Sequence, residues 1–464
     1  MPLAHLDLRV YAITPDRGGV AELVQAARAA LAGGVTCLQL RSKHLSARQQ
    51  LELGLELRRL TRQHGVTFLV NDRPDLALAV GADGVHIGQD DLPLPTVRRL
   101  LGAGAVIGVS AETVDEALAA ERAGADYLGV GPVYATASKE DAGAPYGPAV
   151  IARLAGATRL PIVGIGGITA DNAQPVVAAG AQGVAVIAAI FGAPDPGAAA
   201  ARLRRTVDAA LAATPAEPRH ADGPAASARG TGAARAAFSL HFVADRSRLG
   251  SHWRAVLERL ASAGAGAGPD WLHARDPGAA AGDFSAYVQI VAGCARRLGA
   301  GLIVNDRCDI ALACGAQGVQ LPERGLPVAA AVRALGRRGL IGRSVHDREG
   351  ALRAVEAGAD YLLFGHVFAT ASKGDRPPAG PEPLARIVEE VPVPVIAIGG
   401  IDAHNLESVL ATGCSGIAVV GAIAGAPDPA AAAHELRERL ASSPARPRRP
   451  FPPAPVHPPL DAYE

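Results

Sequence analysis

The chain has 464 residues, 49% hydrophobic and 19% charged, with 45 basic residues balanced by 45 acidic ones. That length suits two domains of about 200 residues better than one. A zero formal charge gives no reason to expect nucleic acid or an anionic membrane as partner.

In chain order, short apolar runs recur through the first half: LRVYAI, VTCLQL, VTFLV, GVHI, VIGV, YLGV, PIVGI and GVAVI. Stretches of helical periodicity such as VAELVQAARAALAGG and VDEALAAERAGA lie between them. Continuous apolar runs are what buried parallel strands look like, and a helix between each makes a βα repeat. Eight units in about 200 residues predict an α/β fold closed into a (β/α)8 TIM barrel. A doubly wound open sheet is the alternative, and the glycine-rich turns ending the series argue against it, because barrels bind phosphate there.

The second half repeats the first. VNDRPDLALAVGADGV at Val70 is answered by VNDRCDIALACGAQGV at Val304, and AGADYLGVGPVYATASKED at Ala123 by AGADYLLFGHVFATASKGD at Ala357. Its apolar runs are LHFVA, WLHA, LIVN, GVQL, IGRS, YLLFG, PVIAI and GIAVV. Two tandem barrels are therefore expected, over residues 1–211 and 238–441. Residues 212–237, rich in Ala, Pro and Gly, read as a flexible linker, and the proline-dense 442–464 as a disordered tail.

Cys37, Cys294, Cys308, Cys314 and Cys414 form no CxxC pair. No apolar run reaches the ~18 residues of a membrane span, and the start MPLAHLDLRVYAITPDR lacks a secretion-signal pattern. A cytoplasmic protein with reduced thiols is the expectation. Self-association into a homo-oligomer is left open by the sequence.

Barrel chemistry gathers at the C-terminal ends of the strands. In the first copy those ends carry Gln39, Arg41 and Lys43 in QLRSK, then Asn71 and Asp72, then Gln89, Asp90 and Asp91. Ser110 follows the fifth run, Thr136, Ser138 and Lys139 the sixth, Gly164, Gly166 and Gly167 the seventh, and Ala188 and Ala189 the eighth. Alternation puts Gln39, Arg41 and Lys43 on one side of an extended segment, where Arg and Lys suit phosphate oxygens. Asp72 and Asp91 on neighbouring strands, with phosphate oxygens, suit a Mg²⁺ shell. The GIGGI turn lets backbone amides approach a second phosphate. Each element has a plainer reading: Arg41 and Lys43 as a solvated strand end, Asp72 as a helix cap, Asp90 and Asp91 as turn formers.

The motifs YAIT, QLRSK, VNDR, GVHIGQDD, GVSAET, GADYLGVGPVYATASK and PIVGIGGIT, over about Leu8 to Asp208, resemble thiamine phosphate synthase. The resemblance implies Mg²⁺-dependent joining of a pyrimidine methyl diphosphate to a thiazole phosphate by a dissociative route, with no protein nucleophile. It implies Asp72 and Asp91 as metal ligands. Arg41, Lys43 and Lys139 would hold the diphosphate, and Gln39, Asn71 and Ser110 the pyrimidine. Thr136, Ser138, Gly167 and the amides of Ala188 and Ala189 would hold the thiazole phosphate. Two departures stand out: Ser138 replaces a frequent Thr, and IAAI lacks the frequent Ser of the strand-eight turn.

In the second copy His273, Arg275 and Pro277 replace Gln39, Arg41 and Lys43, and Gly325 falls opposite Asp91, while Asn305, Asp306 and Lys373 persist. LHARD, VNDRCD, LPERGLP, GRSVHD and GHVFATASK, over about Phe238 to Leu440, resemble the TenI-like thiazole tautomerases. That implies proton transfer by His346, with His273 and His366 as lesser candidates. A non-catalytic thiazole phosphate-binding or regulatory module is the competing reading of this half, and another phosphate-binding isomerase barrel a distant one for the whole.

Overall fold

In the computed structural model, residues 6–136, 144–213, 238–336, 338–370 and 377–454 are described. The chain divides into two compact units, Met1–Ser227 and Ala228–Glu464. Both hold the expected closed parallel barrel. The first runs β1 (Val10–Ile13), β2 (Cys37–Leu40), β3 (Thr67–Asn71), β4 (Gly84–Ile87), β5 (Val106–Ser110), β6 (Tyr127–Val130), β7 (Ile162–Ile165) and β8 (Gly183–Val186), with β8 pairing back onto β1. The second runs β9 (Ser239–Asp245), β10 (Trp271–Arg275), β11 (Gly301–Asn305), β12 (Gly318–Leu321), β13 (Leu340–Val345), β14 (Tyr361–Gly365), β15 (Val395–Ile398) and β16 (Gly416–Val419), closed by β16 on β9.

The repeated GAD motifs turn out to be structural. Asp83 accepts the Phe68 amide at 2.8 Å and a forked pair of bonds from Arg58, both 2.7 Å. Asp126 likewise accepts the Ile107 amide and a single bond from Arg98, at 2.7 and 2.8 Å. In the second barrel Gln317 and Asp360 take the amides of Leu302 and Ile341. Each side chain caps a strand-start amide that the next strand cannot reach, which keeps buried backbone donors satisfied. Helices begin where the sequence supplies caps. Ser46 with Gln49, and Thr113 with Glu116, form capping boxes ahead of the helices Ala47–His64 and Val114–Ala123.

The tail departs from expectation. After the last helix, Pro429–Ser442, the chain continues along the second barrel: the Arg448 amide donates to Gly413 O at 2.9 Å and Arg449 Nη1 to Val388 O at 2.7 Å. Phe451 is then buried edge-on against His241, Trp271 and Tyr361 at the strand-start end of the barrel, with ring centroids 4.7, 5.5 and 4.9 Å away. Proline density forbids helix there, but it does not forbid an extended strap ending in one aromatic anchor. A disordered tail is therefore the wrong description of residues 443–454. Residues 455–464, and the linker over 214–237, lie outside the described residues.

Removing this plug leaves a cavity under three aromatic rings. Phe451→Ala is expected to cost the second barrel about 3–5 kcal/mol. Both tryptophans, Trp253 and Trp271, lie in that unit. Denaturant unfolding followed by tryptophan fluorescence therefore reports it, as a lower midpoint with an unchanged slope.

Candidate functional site

The first barrel's strand ends bring most of the expected residues to one rim. Asp72 ends the run after β3 with a positive φ of 61°, and its amide donates to His86 O at 2.9 Å. It is not the cap of the following helix, Pro74–Val80, where no side-chain cap bond forms. The buried carboxylate of that segment is Asp75, which takes two bonds from Arg73 at 2.8 and 2.9 Å. Asp72 is thus released from structural duty and turned toward the loop after β4. There Asp91 closes a turn by accepting the Gly88 amide at 2.8 Å, and its carboxyl also meets that of Asp72.

Burial pushes the Asp72 carboxyl up to about 7, the charge and hydrogen bond of Asp91 add to the rise, and Arg41 and Lys43 oppose it. Two carboxylates in contact demand either a shared proton or a cation between them. That donor set fits a hard divalent ion that takes a few carboxylate oxygens and completes its shell with water or phosphate. Among the described residues no cluster of three or more potential ligands exists.

Arg41 and Lys43 follow β2 on a loop that Asp16 organises. Asp16 accepts the Lys43 amide at 2.6 Å and the His44 amide at 3.2 Å, and lies 3.6 Å from Arg41 Nη1. Burial raises its carboxyl, but the Lys43 amide, His44 and Arg41 outweigh that and hold it below the ordinary range. Thr14 adds a reciprocal pair with the Arg41 backbone. Neither Asp16 nor Thr14 was singled out in the sequence. Their signal was available, since YAITPD places both after the first apolar run.

The opposite side of the rim is the glycine turn after β7. Gly166 and Gly167 have φ of 99° and 62°, and a Cβ on Gly167 would stand 2.4 Å from Ala135 O. Only glycine lets this turn pack against the loop after β6. Asn172 Nδ2 donates to Gly167 O at 3.0 Å and fixes the turn. The helix Ala188–Phe191 follows β8, and its first amides, Ala188 and Ala189 among them, have no carbonyl partner within the helix. In the loop after β6, Thr136 is described, and Ser138 and Lys139, within 137–143, lie outside the described residues. Asn71 and Ser110 end β3 and β5, and Gln39 is buried within β2.

In the second barrel the same rim is rebuilt. Gly325 stands where Asp91 would, and a Cβ there would be 2.5 Å from Asp306 Oδ1. A side chain at this position would collide with the retained carboxylate. Arg275 is bound by the buried Asp245, which Arg248 also approaches at 3.4 Å. His346 Nδ1 bonds Gly365 O, and its Nε2 lies 3.7 Å from Glu323 Oε2. Arg343 holds the loop carrying Glu323 through Leu326 O and Glu323 O, at 2.9 and 2.6 Å. His273 is fully buried and pairs with His241 at 2.9 Å, and burial pushes it down to about 3. His366 is buried with its Cβ beneath the Gly399 turn. Lys373 lies outside the described residues.

Taken together, a parallel barrel with paired rim carboxylates, a cationic loop beside them and a glycine turn across from them defines a phosphate-ester-handling (β/α)8 protein. A family model described as thiamine monophosphate synthase matches residues 10–190 and again 240–423. The thiamine-phosphate synthase of Moorella thermoacetica is 57% identical over 195 residues, 42% of this chain and 93% of that protein. That of Chloroflexus aurantiacus is 50% identical, over 45% of this chain and 96% of that one. A solved thiamine phosphate pyrophosphorylase from Pyrococcus furiosus is 39% identical, over 44% of this chain and 98% of that chain, with a TM-score of 0.41. The chain belongs to the thiamine monophosphate synthase family, twice over. All five cysteines are free, and no helix among the described residues is long and apolar enough to cross a membrane.

The carboxylate pair sets a pH signature. A folded-state pKa raised to about 7, above the unfolded value near 4, means the fold binds a proton that the unfolded chain releases. Stability from this site is therefore present at low pH and lost as pH rises from about 4 to 7. Asp91→Asn should raise the first barrel's calorimetric midpoint at pH 8 and change it little at pH 4. Divalent cation should stabilise the parent at pH 8 and not the variant.

Proposed function

We propose that the first barrel is a thiamine phosphate synthase: a transferase that joins 4-amino-2-methyl-5-hydroxymethylpyrimidine diphosphate to a thiazole phosphate and releases pyrophosphate. The observation that carries this is the contact between Asp72 and Asp91 beside the Arg41–Lys43 loop, in a chain whose relatives of that name match it almost end to end over this half. Asp72 and Asp91 would hold Mg²⁺, which supplies positive charge against the departing diphosphate. Arg41 and Lys43, with Lys139, bind its oxygens, and the Asp16-ordered backbone keeps that loop in place before substrate arrives. Gln39, Asn71 and Ser110 orient the pyrimidine. Thr136, Ser138, Gly167 and the amides of Ala188 and Ala189 hold the thiazole phosphate across the rim, so its ring nitrogen faces the carbon that the diphosphate leaves. With the leaving group stabilised, no side-chain nucleophile is needed.

For the second barrel we propose thiazole tautomerisation by His346. Its Nδ1 is committed to the Gly365 carbonyl, which requires the proton there and leaves Nε2 as the basic nitrogen at the rim. Glu323 beside it can take up or return the proton. A synthase role is disfavoured there, because the metal pair is gone and Arg275 is neutralised by Asp245.

The test uses the full chain with both substrates and Mg²⁺, with pyrophosphate release as the readout. Asp72→Asn and Asp91→Asn should each lower kcat/KM about a hundredfold or more; near-parental turnover in both would remove the metal assignment. His346→Ala should slow proton exchange on carboxylated thiazole phosphate about a hundredfold and leave pyrophosphate release unchanged. A second barrel that binds that phosphate but exchanges no proton is a binding module instead.

A further inference from the structure

The loop after β12 is held differently from its counterpart in the first barrel. Arg343, buried toward the end of β13, donates from Nη1 to Leu326 O at 2.9 Å and from Nη2 to Glu323 O at 2.6 Å. Within the same loop the Gly325 amide closes a turn on Pro322 O at 2.8 Å. Glu323 is thereby pinned through its backbone. Its side chain is 63% exposed, and its Oε2 lies 3.7 Å from His346 Nε2. Burying a guanidinium costs free energy that hydrogen bonds must recover, and both terminal nitrogens bond this one loop.

Strand register gives the counterparts in the first barrel. Leu321 pairs with Arg343 as Ile87 pairs with Val109. Counting on from these residues, Glu323 stands where Gln89 does, Gly325 where Asp91 does and His346 where Glu112 does. The first barrel ties its loop by the loop's own side chains. Asp91 takes the Gly88 amide at 2.8 Å, and Gln89 Nε2 donates to Ser110 O at 2.6 Å. In the second barrel Arg343 does the tying, and the side chain at the Gln89 place becomes a carboxylate facing an imidazole. Four differences in one sector of the rim therefore bear on a single pair of groups.

The pair has a direction. His346 Nδ1 must carry its hydrogen to bond the Gly365 carbonyl, so the imidazole takes up and gives back protons at Nε2. An imidazole working alone there returns the hydrogen it removed. A carboxylate that faces both Nε2 and solvent can exchange that hydrogen first.

We infer that Arg343 is a positioning residue that keeps Glu323 at His346, and that Glu323 relays protons between His346 Nε2 and solvent during tautomerisation. This rests on the tautomerase reading of the second barrel. The step balances without another reactant. A C–H bond of the thiazole phosphate breaks as Nε2 takes the proton, and its electron pair shifts through the conjugated system. The proton passes from Nε2 to Glu323 and is replaced by one from water. A new C–H bond then forms at the second carbon with the proton that Nε2 returns.

The experiment follows tautomerisation of carboxylated thiazole phosphate by the full chain in deuterium oxide, reading both the rate and the deuterium content of the product. The parent should place solvent deuterium at the new C–H. Glu323→Gln and Arg343→Met should lower kcat about tenfold or more, leave KM within about threefold, and raise the share of product that keeps the substrate's own hydrogen. Arg343→Lys, which can reach one carbonyl, should recover part of the loss. Tryptophan-monitored unfolding checks that each variant is folded, since both tryptophans lie in this unit. Glu323→Gln, at an exposed position, carries the test if Arg343→Met does not fold. Parental kcat and deuterium content in Glu323→Gln overturn the inference. So does a slow Arg343→Met with parental deuterium content and no recovery in Arg343→Lys, which marks support of the fold alone. A parent that tautomerises nothing overturns the tautomerase reading and the relay with it, whereas an active parent with unchanged variants overturns the relay only.

Discussion

A closed parallel barrel of eight strands gives the side chains on its inner face no water to bond, so any polar group placed there must find its partner on another strand. This constraint governs both halves of the chain. In the first barrel it is met by a hydrogen-bonded row from Gln39 through Tyr11, Tyr127 and His86 to Ser110. In the second it is met only in part: Ser239, His241 and His273 form one short line and Gln320 with Ser344 another, while His273 Nδ1, Gln320 Oε1 and Tyr361 OH are buried without a partner. Gln39 and Ser110 at strand ends of the first barrel are the outer members of its row.

The two barrels differ most in these interior groups. Exchanging Gln39 for His273 and Tyr11 for His241 removes the glutamine amide and the tyrosine link together, and the interior still closes because the two imidazoles pair. At the rim above, Gly325 and the Asp245–Arg275 pair stand where the first barrel has Asp91 and Arg41. The glycine turn persists: Gly399 and Gly400 keep φ of 106° and 64°, and Asn405 Nδ2 holds Gly400 O at 2.8 Å.

Much of this was legible in the chain. The apolar runs marked all sixteen strands, because a strand buried on both faces has no polar alternation to obscure it. Asp72 and Asp91 stood out through their joint place just beyond two neighbouring apolar runs and through the motif resemblance, since each alone reads as a cap or a turn former. The row was not legible. Tyr11 and Tyr127 count as apolar in a periodicity argument, and His86 was one polar letter in GVHI. Their hydroxyl and imidazole groups matter only through partners on strands distant in sequence. Phe451 was hidden differently, as an aromatic in a proline-dense stretch whose composition argued for disorder.

The strap ending in Phe451 closes the barrel at the end away from the rim, and it meets the same constraint from outside. In the first barrel, Leu6 and Leu8 at the chain's start pack onto the equivalent cluster around Tyr11 and Tyr127. In the second, Phe451 packs with Val243, Trp271, Tyr361 and Leu363. Trp271 stands in register where the first barrel has Cys37, and its larger ring widens the floor that has to be covered. A single phenylalanine delivered by a proline-stiffened segment covers that floor at low entropic cost, since proline limits the freedom the strap loses on docking. The tail and the enlarged tryptophan are therefore one adaptation, and replacing Trp271 with a small residue would leave Phe451 without the surface that holds it.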